Sequence, residues 1–198
     1  MIFKLFGVKI RITFLFTAIL CFMLFIDRTG LILPLFLAVF AHEAAHIFAM
    51  RILKCAPHEI ELIPGSIRII NPQKYSIKKE NIILFSGPAC NMILFAVFYI
   101  IFLLSGSIFL LNSAAVQLII GAFNLLPAKG LDGGQLVYNL FAKRLPVATA
   151  ILVYTVLSAL VGSAFLAYGL VSIIRGEVNL SVFILGIYII ILSFTNKC

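Results

Sequence analysis

Residues 31–53 read LILPLFLAVFAHEAAHIFAMRIL, and this stretch decides the fold class. It exceeds the roughly 20 apolar residues that carry a helix across a bilayer, yet it holds His42, Glu43 and His46 in its second half. Ionisable groups at that depth are costly, so they line a polar interior and act there. Residues four apart share a helix face, so His42 and His46 present two imidazoles to one zinc ion. Glu43, one position round, reaches a water held by the same metal. H-E-x-x-H is the pattern expected of a metalloprotease, and its setting makes the expected site an intramembrane one.

Outward from this stretch, the composition is that of a membrane protein: 63% hydrophobic, 11% charged, mean hydropathy +1.19. So much apolar surface faces lipid, where only helices or closed barrels satisfy the backbone. Continuous apolar runs favour helices over the alternation of barrel strands. The expected fold is therefore an all-α polytopic membrane protein of about six spans: Ile12 to Ile26, Leu31 to Leu53, Ile82 to Leu104, Ile108 to Leu126, Val147 to Ile174 and Leu180 to Phe194. Asp27-Arg28-Thr29-Gly30 offers no small-x-small cleavage site, so the first segment reads as a retained span.

If the chain starts inside, only Arg28 and Arg175 of the 15 lysines and arginines fall outside, which places both termini in the cytoplasm. The net charge of +8 is then accounted for by basic loops at anionic headgroups of the lipid bilayer and calls for no nucleic acid. The four cysteines (Cys21, Cys55, Cys90, Cys198) have no metal-binding spacing. Between the second and third spans, Glu59–Ile63 and Ser66–Ile70 alternate around Pro64-Gly65, the pattern of a short β-hairpin at the cytoplasmic membrane surface. No internal repeat is visible, and the chain reads as one intramembrane domain over residues 1–198, with a catalytic core of about residues 31–144.

Catalytic zinc takes three protein ligands and keeps one position for water, so a third ligand is required. Asp27 lies on the wrong side of the membrane for this topology. Glu59, Glu61 and Glu80 belong to the charged cytoplasmic segment, and His58 reads as an interfacial histidine. Asp132 remains, in Asn124-Leu125-Leu126-Pro127-Ala128-Lys129-Gly130-Leu131-Asp132-Gly133-Gly134. Pro127 and the glycines break the fourth span, and broken backbone at membrane depth is tolerated where it lines a buried or watery site. Asp132 is thus expected on a loop. Lys129 suggests that this loop touches the aqueous boundary, whereas His46 sits about 10 Å inside the helix end, so Asp132 must fold back inward. Gly87-Pro88 is expected to kink the third span, and Asn91 to bond helix to helix.

Three separated motifs, His42-Glu43-Ala44-Ala45-His46, Gly87-Pro88-Ala89-Cys90-Asn91 and Asn124 to Gly134 with its Leu-Asp-Gly, resemble the site-2 proteases, a family of zinc intramembrane metallopeptidases. Val8-Lys9-Ile10-Arg11 and Ile60-Glu61-Leu62-Ile63-Pro64 look more narrowly like the stage IV sporulation protein FB branch, and the resemblance covers most of residues 8 to 144. It implies one Zn2+ on His42, His46 and Asp132, Glu43 as catalytic acid/base, and Asn124 near the substrate. Further implications are a membrane-associated precursor of a sporulation sigma factor as substrate, inhibitory membrane proteins as partners, and a bacterial cell or forespore membrane as location. The family commonly has glycine where Ala45 stands and proline where Gly130 stands. Many sporulation-type relatives carry a CBS domain, and neither a CBS nor a PDZ domain is expected here.

Two other classes fit the same residues. A membrane zinc transporter also places histidines and carboxylates in the bilayer, but calls for metal sites in series. A catalytically inactive scaffold would keep the fold without needing the base and ligands that this chain retains.

Overall fold

The computed structural model describes residues 27–55, 76–176 and 180–195 with their side chains, together with Phe22 and Phe25 and the backbone of strands at 2–5, 8–12, 59–63 and 66–70. Apart from Ile12, Phe22 and Phe25, the first apolar segment lies outside the described residues, as do His58 and the Pro64-Gly65 turn. Ile12 itself ends a strand rather than opening a helix.

The chain forms two compact units, Met1–Gly121 and Ala122–Cys198. The first contains a four-stranded sheet of β1 (Ile2–Leu5), β2 (Val8–Ile12), β3 (Glu59–Ile63) and β4 (Ser66–Ile70), in that order. β1 and β2 are antiparallel, β2 and β3 parallel, and β3 and β4 antiparallel from Glu59↔Ile70 to Ile63↔Ser66. The parallel register sets Lys9 opposite Glu59 and Arg11 opposite Glu61. β3 is thereby an inner strand, and β4 lies at an edge.

The first unit also holds α1 (Ile32–Ile52), α2 (Ile77–Ser105) and most of α3 (Ile108–Asn124). The Asp27 carboxylate precedes α1 and accepts hydrogen bonds from Thr29 N and Oγ1, Gly30 N and Ile32 N, so one of the helix's orphan amides is satisfied. The Thr29 hydroxyl, then the Ile32 amide, holds this exposed carboxyl below its ordinary value. At the other end of α1, Lys79 Nζ donates to the Leu53 carbonyl at 3.1 Å, a cation on a helix C-terminus.

The second unit begins with the last residues of α3 and continues through α4 (Asp132–Ala142), α5 (Val147–Ile174) and α6 (Leu180–Phe194). α5 and α6 pack backbone to backbone. A Cβ at Gly162 would stand 2.7 Å from Ile190 Cγ1, and one at Gly186 would stand 2.7 Å from Leu166 N. Small residues permit such an approach where lipid supplies no hydrophobic drive between helices.

Among the described residues three helices, α1, α2 and α5, are long and apolar enough to cross a membrane, and α3 and α6 are apolar but shorter. The burial pattern is that of a membrane protein. Among the described residues the buried set includes His42, His46, Asn91, Ser113, Gln117, Asn139, Ser158, Ser172 and Ser193, while Phe40, Phe48, Leu104, Leu160 and Ile174 face outward. Polar groups inside and large apolar ones outside invert the soluble arrangement and suit a hydrocarbon solvent.

Candidate metal centre

His42 and His46 occupy one face of α1 at helical spacing and are 4% and 6% exposed. Their Nε2 atoms lie 3.2 Å apart. What fills that gap follows from the partners of the other ring nitrogens. His46 Nδ1 is 2.7 Å from the Ile83 carbonyl, which only accepts, so Nδ1 carries the proton. Ser86 Oγ lies 3.4 Å from the same nitrogen and donates to the Ile83 carbonyl at 2.6 Å.

For His42 the same logic runs through Asn91, which is fully buried on α2. Asn91 Nδ2 donates to the Ala38 carbonyl at 3.2 Å and to Gln117 Oε1 at 2.5 Å. The carbonyl accepts only, which identifies the amide nitrogen. Asn91 Oδ1 therefore faces His42 Nδ1 at 2.6 Å, and His42 also carries its proton on Nδ1. With Nδ1 as the donor in each ring, the two Nε2 atoms face one another. Two ring nitrogens so placed are able to share one cation. The spacing fits one tetrahedral zinc ion, for which nitrogens about 2.05 Å from the metal stand about 3.3 Å apart. Hydrogen bonding of the outer nitrogen to an amide oxygen or a backbone carbonyl is also how metal-bound histidines are held.

Gly87 completes this half of the site. A Cβ there would sit 2.6 Å from His46 Nε2 and 2.7 Å from His42 Nε2, so α2 presents bare backbone to the pair. Gly87-Pro88 therefore does more than kink a helix, although Pro88 does lie inside α2. Asn91 likewise joins helices through Ala38 and, beyond that expected role, fixes the orientation of the His42 ring. Glu43 follows His42 on α1 and is half-buried. An apolar groove of about 680 Å³ between α1 and α2 is lined by Ala41, Ala44, Ala45, Ala89 and Cys90. At 100° per residue Ala41 and Ala45 lie about 160° round α1 from Glu43, so the groove and this carboxylate are on different faces of the helix.

The second unit carries the remaining expected residues. Asn124 is the last residue of α3 and is half-buried. Asp132 is the first residue of α4, not a loop residue as expected. Its carboxylate therefore belongs to the first turn of a helix. Residues 125–131 fold back on this terminus: a Cβ at Gly133 would overlap the Leu125 carbonyl, and one at Gly134 the Ala128 carbonyl. Gly130, at φ +88°, takes the left-handed conformation on the way.

Gln117, Ser86 and the cradling role of Gly87 were missed by sequence reasoning. A glutamine in the apolar run of α3 was a usable signal, since a buried amide in a span must find a partner. Nothing in the sequence singles out Ser86.

No protein-family model matches the chain, and no curated protein matches it by sequence. Among solved structures, the fold is similar to "Site-2 Protease from Methanocaldococcus jannaschii", with a TM-score of 0.69 at 20% identity over 96% of this chain and 91% of that one. The likeness is one of fold. The histidine geometry is this chain's own observation and stands beside that likeness.

Proposed function

We propose that this chain is a zinc-dependent intramembrane endopeptidase of the site-2 protease type, with His42, His46 and Asp132 as ligands of one zinc ion and Glu43 as general base. The observation that carries the reading is the pair of histidine Nε2 atoms 3.2 Å apart, buried beside Gly87 and next in sequence to a carboxylate. Asp132 adds the carboxylate that makes a three-donor set suited to a divalent metal. The fold likeness to a site-2 protease supports the same class.

Bound zinc supplies an acidified water and a polarised carbonyl. Glu43 takes the proton of the attacking water as the water oxygen bonds to the scissile carbonyl carbon. It returns that proton to the amine nitrogen as the C–N bond breaks. Asn124 offers amide hydrogens to the substrate backbone near this centre. A transmembrane substrate must first be unwound, because its helical carbonyls are already bonded. The free edge of β4 takes the extended segment by β-augmentation, since β3 is enclosed by its two neighbours.

The six apolar runs support six spans, and the distribution of basic residues between them supports two cytoplasmic termini. The motifs at residues 8–11 and 60–64 favour the sporulation branch, making a membrane-associated sigma-factor precursor the first substrate to try and inhibitory membrane proteins the first regulators to seek. The test is co-expression with candidate membrane-associated precursors, alongside zinc flux in proteoliposomes. The intact chain cleaves, Glu43→Gln retains zinc and does not, and neither moves zinc across the bilayer. Cleavage by the Glu43→Gln variant removes the base, and zinc flux without cleavage favours a transporter.

A further inference from the structure

Lys129 is the one charged residue between Asn124 and Asp132, and its surroundings are not those of a solvated lysine. It is half-buried, and its Nζ donates to the Ser193 carbonyl at 2.5 Å, in the last turn of α6. That carbonyl is in the last turn, where acceptors lack the usual helical donor, at the negative end of the helix dipole. The same ammonium lies 5.6 Å from the centre of the Tyr154 ring on α5, which adds a cation–π contact.

The backbone of Lys129 is tied as well. Its N–H donates to Ser158 Oγ on α5 at 2.9 Å. Ser158 Oγ lies 2.7 Å from Ser193 Oγ, which lies 2.8 Å from the Ile189 carbonyl. Each hydroxyl has one proton, and the Ile189 carbonyl has none. A consistent chain therefore runs from Lys129 N–H to Ser158, from the Ser158 hydroxyl to Ser193, and from the Ser193 hydroxyl to Ile189. Both serines are fully buried, so losing either leaves a polar atom stranded in an apolar bundle. Gly130 follows directly, with its Cα hydrogens turned to Leu192 of α6.

We infer that Lys129 with Ser158 and Ser193 forms an anchor that holds the 125–131 segment on α5 and α6 and thereby positions Asp132. It rests on the reading of Asp132 as a metal ligand only for its consequence, since the anchor itself is geometry within the second unit. Lys129 is a positioning residue, acting through a carboxylate three residues on. Its ammonium caps the C-terminal end of α6 while its backbone amide is tied to α5. It also gives α5 and α6, which carry none of the expected ligands, a part in the site.

The test uses the full chain in lipid nanodiscs, with Lys129→Met, which keeps the stem, Lys129→Arg, which restores donors, and Ser158→Ala. Hydrogen exchange reads the anchor without reference to metal. Lys129→Met and Ser158→Ala speed exchange at the amides of residues 128–135 by about tenfold or more, the exchange of α5 stays as it was, and Lys129→Arg recovers part of the protection. Unchanged exchange at residues 128–135 in Lys129→Met overturns the anchor, whatever the protein binds. Cobalt substitution reads the consequence: affinity falls about 10-fold to 100-fold in Lys129→Met, and its visible spectrum moves toward that of Asp132→Asn. A wild-type chain that takes up no cobalt contradicts the metal reading alone. A Lys129→Met chain with loosened amides and a wild-type cobalt spectrum and affinity overturns the positioning role.

Discussion

In the unit that ends at Gly121, the expected ligands ride on a regular helix and are aimed by partners on its neighbours. In the unit that follows, the expected ligand stands at a helix start and is aimed by the path of the chain before it. His42 and His46 need only rotation about their side-chain bonds, which Asn91 and the Ile83 carbonyl fix. Asp132 needs its backbone placed, which the close turns at Gly133 and Gly134 and the ties of Lys129 supply. Helix-borne ligands call for orientation, and junction-borne ones for anchoring.

The sharpest way to break that contrast is to damage one side and watch the other. Gly87→Val places carbon where the two Nε2 atoms approach the α2 backbone. Zinc content measured by mass spectrometry falls from one per chain to near zero, while hydrogen exchange at residues 125–135 stays at the wild-type rate. Loosening there would show that the two sides are not independently held.

A milder change tests orientation alone. Asn91→Leu removes the acceptor from His42 Nδ1 and strands Gln117, so zinc affinity falls about 10-fold to 100-fold, the usual effect of losing a metal ligand's outer partner. Competition with a chelating dye reads this directly, and an unchanged affinity would deny Asn91 its orienting role.

The two sides also differed in how far the sequence revealed them. Apolar runs delimited α1, α2, α3, α5 and α6 to within a few residues because lipid demands length and hydropathy, both visible in a string of letters. The histidine pair was equally legible, since i,i+4 spacing is local. Helix α4 was not: Gly133 and Gly134 read as turn formers, but they serve close approach to the Leu125 and Ala128 carbonyls at a helix start. β1 and β2 were missed because a four- or five-residue strand is specified by its partner, and the parallel partner of β2 begins at Glu59. Gln117 escaped notice because its partner Asn91 is set by helix packing across 26 residues.

The smallest expected effect sharpens the comparison at the far end of α1. The carboxyl of Asp27 is held below its ordinary value of 3.8, so its ionised form favours the folded loop above that value. The contribution is lost as pH falls through the folded-state value. Protection of the Thr29, Gly30 and Ile32 amides, corrected for intrinsic exchange, therefore declines on that acid limb and shows no such decline in Asp27→Asn. The histidine side should not register the change at all, since this cap lies outside the metal-binding face.

The central claim, that two buried imidazoles and a carboxylate hold one metal ion, is tested most directly by zinc X-ray absorption on the purified full chain. The account predicts one zinc per chain, with two imidazole nitrogens and oxygen at bonding distance, one imidazole fewer in His42→Ala, and altered oxygen ligation in Asp132→Asn. A zinc-free protein under native conditions, or a shell that contains sulfur and is unchanged in both variants, would contradict it.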